Sequence, residues 1–519
     1  MALKEPTVPV RSAAQAAAAD AATITAGVPS RALMQRAGAA AAAEIARRFP
    51  DRLHAGVVVY AGVGNNGGDG WVVARSLAAA GIRCQVIAIG DGRTDDARAE
   101  RSLAEPLLTT STVHDHAAAA LGGTGVIVDA LLGTGAKGEP RGAAIDVIRR
   151  IAAAREAGAV VVALDVPSGV DATTGASSGS VKADLTLTFG SVKRGLLVAR
   201  AAAGEIAVLE IGLLPRSGED EPLLVDGRWV RATVPAMEPD AHKGTRRKLV
   251  VIGGATGMAG ATVLAARAAM ATGIGMVRLL VSAPSLPVVQ GAVPEAMAGE
   301  WPATDEQVDE EVAGWSDVVL IGPGLGHTME TRRLVERVLR RWRGPVLLDA
   351  DALNVFAGRL DDLATMIAGR PVLLTPHPGE FGRLTGMTVD QVLEQRFEAG
   401  RELAMTVGAA VLLKGVPTVI SGVDGRRMVS AAGTPALAAA GSGDLLSGIA
   451  ATLLVQLPDP LRAGACAAWA HGRAAELACG GSGARGITLH DVLVTLPRVW
   501  RERGVTPVLP VLAQLPAVH

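Results

Sequence analysis

The chain has 519 residues, 49% apolar and 19% charged, and its 50 Lys and Arg against 51 Asp and Glu leave a formal net charge of -1. That length and apolar content imply two to four globular domains with real cores. Balanced charge, the lack of a long basic run and an aromatic content of only 3% exclude a dedicated nucleic-acid binder, which needs a basic track and rings to stack on.

Cys84, Cys466 and Cys479 are too few for a disulfide framework and form no CxxC pair, which fits a reducing cytoplasm. The alanine-rich stretch behind Lys4 and Arg11 is broken by Asp20 and Thr23 and lacks a secretory apolar core. No apolar run reaches the ~18 residues of a membrane span, so no membrane partner is expected.

The first elements, "AAQAAAADAATI" and "AGAAAAAEIARRF", read as alanine-rich helices that could be core or the face of a homo-oligomer. Behind them, short β-branched runs alternate with helical stretches: "GVVVY" (56–60), "RCQVIAI" (83–89), "GVIVDALL" (125–132), "VVVALDV" (160–166) and "LTLTFG" (185–190). Continuous apolar strands separated by helices predict a parallel sheet covered on both faces, a doubly wound α/β domain.

The stretch "YAGVGNNGGDGWVVAR", Tyr60 to Arg75, lies where that first strand ends, and its helix is expected to start just past Asp69. Ligands of open α/β sheets bind at such strand ends, and free N–H groups with a helix dipole favour phosphate. The spacing is neither the dinucleotide fingerprint nor the P-loop. A glycine-rich turn required only by backbone geometry is the other reading. Two more strand ends converge on the same edge. "VDALLGTGAKGEPRG" brings Asp129 and a second phosphate-type turn with Lys137, and "ALDVPSGVDATTG" brings Asp165, Ser168 and Asp171. Such oxygens could gather around a hard cation, and Asp165 or Asp171 could equally cap a helix or an Asx-turn.

"GNNGGDG", "DALLGTG", "DVPSGVDATTG" and "TFGSVKRG", in this order within residues 60–195, together resemble the N-terminal domain of the NAD(P)H-hydrate epimerases. The resemblance implies a Rossmann-like, doubly wound three-layer domain over residues 1–220. It implies that Asn65, Asn66, Gly67, Gly68 and Asp69, with Gly133, Thr134, Gly135, Ala136, Lys137, Gly138 and Glu139, hold the substrate's phosphates. Asn66, Asp129 and Ser168 would bind K+, Asp165 would contact substrate, and Lys193 is its candidate partner in acid–base chemistry. An exposed, merely solvating Lys193 is the other reading.

The pattern falters over residues 213–248, rich in Pro and charge, and resumes with "KLVVIGG", "DVVLIGPGLG", "PVLLDADALN", "PVLLTPHPGE" and "AAVLLKG". A boundary near 220 and a second α/β domain over 225–500 follow. The tail 501–519, with Pro507, Pro510 and Pro516, is expected to be extended or disordered. In "AAAGSGDLLSGIAATLL" the run Gly441-Ser442-Gly443-Asp444 opens an apolar helix, so unpaired N–H groups and a carboxylate meet at one spot. That suits phosphoryl transfer, with Asp444 taking the proton of the attacking hydroxyl, although such a turn can also be only a well-capped helix start.

With "HKGTRRKLVVIGGATGMAGATV", "IGPGLG", "DADALN", "TPHPGEFGRL" and "LLKGVPTVI", residues 242–495 resemble the ADP-dependent NAD(P)H-hydrate dehydratases of the ribokinase-like superfamily. Ala255 stands where that family often has serine. By this resemblance Ala261, Gly326 and His377 would contact the hydrated nicotinamide, and Asp444 its hydroxyl. Lys414, Gly415, Val416, Pro417, Thr418 and Gly443 would hold the adenine nucleotide, with Mg2+ accompanying ADP and AMP as the product. His377, between two prolines, could instead be a turn residue, and Asp349 and Asp351 could bind magnesium or cap turns. The implied function is repair of NAD(P)H-hydrate, by C6 epimerisation and ADP-dependent dehydration. The alternative is a small-molecule kinase, for a vitamin or sugar, fused to a non-catalytic ligand-binding domain.

Overall fold

Val57–Ala61 is buried at every position, which a strand can be only when helices cover both faces of its sheet. It lies in an eight-stranded sheet ordered Val511–Leu515, Glu205–Leu209, Leu185–Phe189, Val160–Leu164, Val126–Ala130, Val57–Ala61, Cys84–Ala88 and Thr109–Thr112. Every neighbouring pair is parallel except the first. Ala41 and Ile45 of the helix Ser30–Arg48 and Trp71 and Leu77 of the helix Asn65–Ala79 cover one face. Val147, Ile148 and Ile151 of the helix Ala143–Glu156 cover the other, giving the Rossmann-like three layers.

The computed structural model describes residues 7–112, 125–136, 138–214, 221–480, 483–501 and 508–518. Contacts divide the chain into a unit of Val8–Gly218 with Thr506–Val518 and a unit built on Glu219–Val505. The tail, expected to be extended or disordered, supplies the strand Val511–Leu515, antiparallel to Glu205–Leu209. Val511, Ala513 and Leu515 point inward at every second position, a strand pattern that the flanking prolines disguise.

The glycine-rich stretch also differs. The helix starts at Asn65, not past Asp69, so most of the bare run is its first turns. Tertiary packing overrides the poor helix propensity of glycine here. A Cβ on Gly67 would come within 1.9 Å of the Gly62 carbonyl oxygen, and one on Gly70 within 2.6 Å of the Ala130 Cβ. These glycines let the helix lie down on the strands beneath it.

The second unit has a ten-stranded sheet ordered Leu223–Leu224, Arg427–Ser430, Thr418–Ser421, Ala410–Leu413, Val372–Leu374, Val346–Leu348, Val318–Ile321, Lys248–Ile252, Met276–Val281 and Met297–Glu300. Only Thr418–Ser421 runs against its neighbours. The helices Ala259–Thr272, Ser442–Gln456 and Pro460–Cys479 bury one face, and Met329–Arg341 packs on the other. This is the ribokinase-like arrangement. Within residues 213–248, where the strand–helix pattern falters, lie the short strand Leu223–Leu224 and the helix Gly227–Thr233. Among the described residues no helix is long and apolar enough to cross a membrane, and all three cysteines are free and buried.

Candidate active sites

In the first unit, parallel strands deliver Asp129 and Asp165 at their carboxyl ends to one edge, beside a cavity of about 580 Å³. Asn65, Asn66, Asp69, Gly133, Thr134, Gly135, Ala136, Asp165 and Lys193 line it. Gly67, Gly68, Gly138 and Glu139 do not reach its wall, and Lys137 lies outside the described residues. Asp20, Arg93, Phe189 and Ser191 line it without having been singled out from sequence.

Lys193 is buried, not solvating: Nζ donates to Asp165 Oδ1 at 2.5 Å, to Thr188 Oγ1 at 3.0 Å and to the Phe189 carbonyl at 3.0 Å. Thr188 Oγ1 donates to the same Asp165 oxygen at 3.2 Å. Asp165 has φ 64°, a left-handed backbone that costs a non-glycine residue about 1–3 kcal/mol and persists only where surroundings impose it. Asp171 takes the structural role, its Oδ1 accepting the N–H groups of Thr173 and Thr174.

Behind the cavity floor Asp129 is wholly buried. Its Oδ2 accepts the Ser168 N–H at 2.8 Å and its Oδ1 the Ser168 hydroxyl at 2.6 Å. Burial pushes its carboxyl up to about 6 against those hydrogen bonds. Asn66 Nδ2 donates to the Leu132 carbonyl at 3.0 Å, while Asn66 Oδ1 is buried with no partner. The Leu132 N–H donates to Ser168 Oγ at 2.9 Å, so Leu132 links Asn66 to the Ser168–Asp129 pair, and amide, carboxylate and hydroxyl oxygens are a donor set that fits a hard cation.

In the second unit Asp444 is the third residue of the helix Ser442–Gln456. The Ser442 and Asp444 N–H groups bond to the Ala439 and Gly441 carbonyls, and the Gly443 N–H has no acceptor among the described residues. A Cβ on Gly443 would lie 3.4 Å from Lys414 Nζ, so the ammonium faces the helix start. Burial, then the charge of Asp349, pushes the Asp444 carboxyl up to about 7, with Lys414 opposing. A base poised near neutral pH combines the right protonation state with driving force for proton transfer.

Lys414 Nζ is held by Asp349 Oδ1 at 2.8 Å, with Glu380 Oε2 at 3.7 Å. The other Asp349 oxygen accepts the Ser447 hydroxyl at 2.6 Å, and Thr375 Oγ1 donates to Oδ1 at 2.8 Å. Asp351 Oδ2 accepts the Gly326 N–H at 2.7 Å, and Oδ1 lies 3.0 Å from His327 Nε2. Between the two aspartates Ala350 has φ 48°. Both are thus engaged by protein, and no group of three His, Cys, Asp or Glu among the described residues could cage a metal.

His377 caps the helix Pro378–Thr385: Nδ1 accepts the Gly379 and Glu380 N–H groups, and Glu380 Oε2 accepts the His377 N–H at 2.8 Å. Burial lowers its pKa against the pull of Glu380. With Nδ1 accepting, the ring proton sits on Nε2, half-exposed and 3.4 Å from Glu380 Oε1. Ala261 and Gly326 both border Met258, and Thr418 Oγ1 donates to the Gly415 carbonyl at 3.0 Å in the loop after Ala410–Leu413. Glu380, Thr375 and Ser447 were not singled out from sequence. Ser447 had one readable signal, its place one turn after Asp444.

A strand-end site whose carboxylates line a cavity on a Rossmann-like unit, and a helix-start site with a carboxyl of raised proton affinity on a ribokinase-like unit, define a two-domain α/β enzyme. The model of the family described as NAD(P)H-hydrate dehydratase matches residues 249–498, and that of YjeF-related protein N-terminus matches residues 30–195. The chain is 37% identical to a bifunctional NAD(P)H-hydrate repair enzyme of Salinibacter ruber, over 95% of this chain and 96% of that one. It is 35% identical to that of Escherichia coli, over 90% and 89%. The chain belongs to the family of bifunctional NAD(P)H-hydrate repair enzymes. A solved Bacillus subtilis ADP/ATP-dependent NAD(P)H-hydrate dehydratase, co-crystallised with ATP and Mg2+, is 34% identical, covering 53% of this chain and 96% of its own, with a TM-score of 0.48.

Proposed function

We propose that the protein repairs hydrated NADH and NADPH. Its N-terminal unit interconverts the R and S forms at C6, and its C-terminal unit dehydrates the S form with ADP, giving AMP and phosphate. The observation that carries this reading is Asp444, pushed up to about 7 beside the uncommitted Gly443 N–H and the Lys414 ammonium.

Hydroxide leaves poorly and phosphate readily. Asp444 takes the C6 hydroxyl proton as that oxygen attacks the β-phosphorus of ADP, and the bond to the bridging oxygen breaks, releasing AMP. Lys414 and the Gly443 N–H stabilise charge on the moving phosphoryl group. The C6–O bond then breaks with phosphate departing, the C5–H proton is lost, and its electron pair forms the C5=C6 bond. Ala261, Gly326 and the His377 Nε2–H are assigned to the nicotinamide, and Lys414, Gly415, Val416, Pro417, Thr418 and Gly443 to the nucleotide. Mg2+ would accompany the nucleotide and supply charge neutralisation on its phosphates, with Asp349 and Asp351 held by Lys414, Ser447 and the Gly326 N–H.

In the N-terminal unit, the turn of Gly133, Thr134, Gly135 and Ala136 and the helix start at Asn65 and Asn66 receive the phosphates, and the Asp165–Lys193 pair serves proton transfer. Asn66 Oδ1, Asp129 and Ser168 hold K+, which supplies positive charge under the phosphate-binding floor. The unpaired Asn66 oxygen supports this assignment. A homo-oligomer in the cytoplasm is part of the proposal: the helix Ala13–Thr25 buries only Ala16 and Thr23, whereas Ser30–Arg48 buries eight of its 19 residues.

The test supplies hydrated NADH as a mixture of epimers to the full-length protein. With ADP, reduced-nicotinamide absorbance returns for the whole mixture, one AMP per NADH. A stable phosphorylated hydrate without NADH would instead return the small-molecule kinase alternative.

A further inference from the structure

Asp69 is a poor phosphate ligand. It is the fifth residue of the helix Asn65–Ala79, at a place where a phosphate wants N–H groups and a carboxylate repels it. Its half-buried side chain lines the cavity and makes no hydrogen bond or ion pair among the described residues. Asp165, across the same cavity, is engaged by Lys193 at 2.5 Å and by Thr188. An ion-paired carboxylate can accept a proton and has none to give. Lys193 commits its protons to Asp165 Oδ1, Thr188 Oγ1 and the Phe189 carbonyl, and inversion at C6 needs a donor free to act, because the hydroxyl that leaves one face must leave as water.

We propose that Asp69 is the acid of the epimerase, acting opposite Asp165 as base. This rests on the reading of the N-terminal unit as an epimerase. The N1 lone pair forms an N1=C6 bond as the C6–O bond breaks, and the Asp69 proton goes to the departing oxygen, making water. Water then adds to the other face of C6, its proton passes to Asp165, and the N1=C6 pair returns to N1. Protons and electrons balance, no C–H bond breaks, and the reverse direction exchanges the two roles.

The surroundings keep a proton on Asp69. Burial first, then the charges of Asp165 and Asp20, push its carboxyl well above the usual range, with Lys193 opposing. The ionisable groups facing it from the other described walls are Asp20, Arg93, Asp96, Asp165 and Lys193. Bound pyrophosphate adds negative charge and strengthens the effect.

The experiment uses the full-length protein, R-hydrate of NADH without ADP, and water carrying ¹⁸O. Wild type is expected to place one ¹⁸O on C6 per inversion. Asp69→Asn is expected to lose about 10²-fold or more in kcat with KM within about threefold, while K+ still raises its Tm. Asp69→Glu is expected to recover at least about a tenth of kcat with its alkaline limb displaced, and if Asp69→Asn does not fold, an undisplaced limb overturns the proposal. Solvent deuterium at C6, or an Asp69→Asn enzyme with full kcat and only raised KM, overturns it while leaving the epimerase reading standing. A wild type that inverts nothing overturns both.

Discussion

Lys414 Nζ lies 2.8 Å from Asp349 Oδ1, and Ser447 holds the other Asp349 oxygen at 2.6 Å. The ammonium that faces Asp444 is thus fixed by a carboxylate locked into the protein. Asp349→Asn should raise the KM for ADP about tenfold, the loss of roughly 1.4 kcal/mol of nucleotide binding. It should also move the acid limb of the dehydration profile to lower pH, because the negative charge of Asp349 helps hold the Asp444 carboxyl up. A pH–rate series on the purified variant reads both.

Asp444→Asn should lower dehydration by about 10³-fold or more and leave epimerisation intact. It should also stabilise the C-terminal unit. A carboxyl whose pKa is raised on folding binds its proton more tightly in the folded state, so stability is full below the ordinary value of 3.8 and is lost as pH rises through about 7. The amide removes that loss, so its Tm should exceed wild type at pH 8 by about 2–4 °C, with the difference fading at pH 4. Scanning calorimetry at the two pH values checks the sign.

The cation pocket carries its own signature. Asp129, pushed up to about 6, makes the N-terminal unit lose stability as pH rises through that value when no cation is present. Potassium should restore it by mass action, and choline should not. Asn66→Leu removes the unpaired oxygen and should abolish the potassium-dependent rise in Tm, while its Tm in choline falls by what the Nδ2 bond to the Leu132 carbonyl contributes.

The Asp165–Lys193 pair is 9% and 3% exposed. Removing one partner strands the other, so Lys193→Met alone should cost the unit about 3–5 kcal/mol. Lys193→Met with Asp165→Asn should regain most of that stability and still lack epimerisation, while dehydration of the S form continues. Denaturant titration of the single and double variants, alongside both assays, separates stability from chemistry.

Much of this was legible because strand ends in a parallel sheet are periodic and share one edge. Asp129, Asp165 and Asn66 could be placed there from the runs preceding them. What escaped reading depended on contacts distant in sequence. Asp165 was read as the partner of Lys193, but nothing nearby reveals that the pair is buried with Thr188, and nothing near His377 reveals that its Nδ1 caps a helix while Nε2 lies 3.4 Å from Glu380 Oε1. The start of the helix at Asn65 was hidden because glycines required by Gly62 and Ala130 look, read locally, like a loop. Asp349 read equally as a magnesium ligand or a turn cap, and its contacts to Lys414, Thr375 and Ser447 come from three distant segments.

Val511–Leu515 closes the edge of a sheet whose other strands are encoded before residue 210. The ribosome must therefore emit the whole dehydratase before the epimerase can be finished, and until then the Glu205–Leu209 edge stands open to strangers. Cutting the gene between the two halves would leave the first piece with an unzipped border. Translation order thus leaves the N-terminal sheet short of its last strand until the final residues have been added.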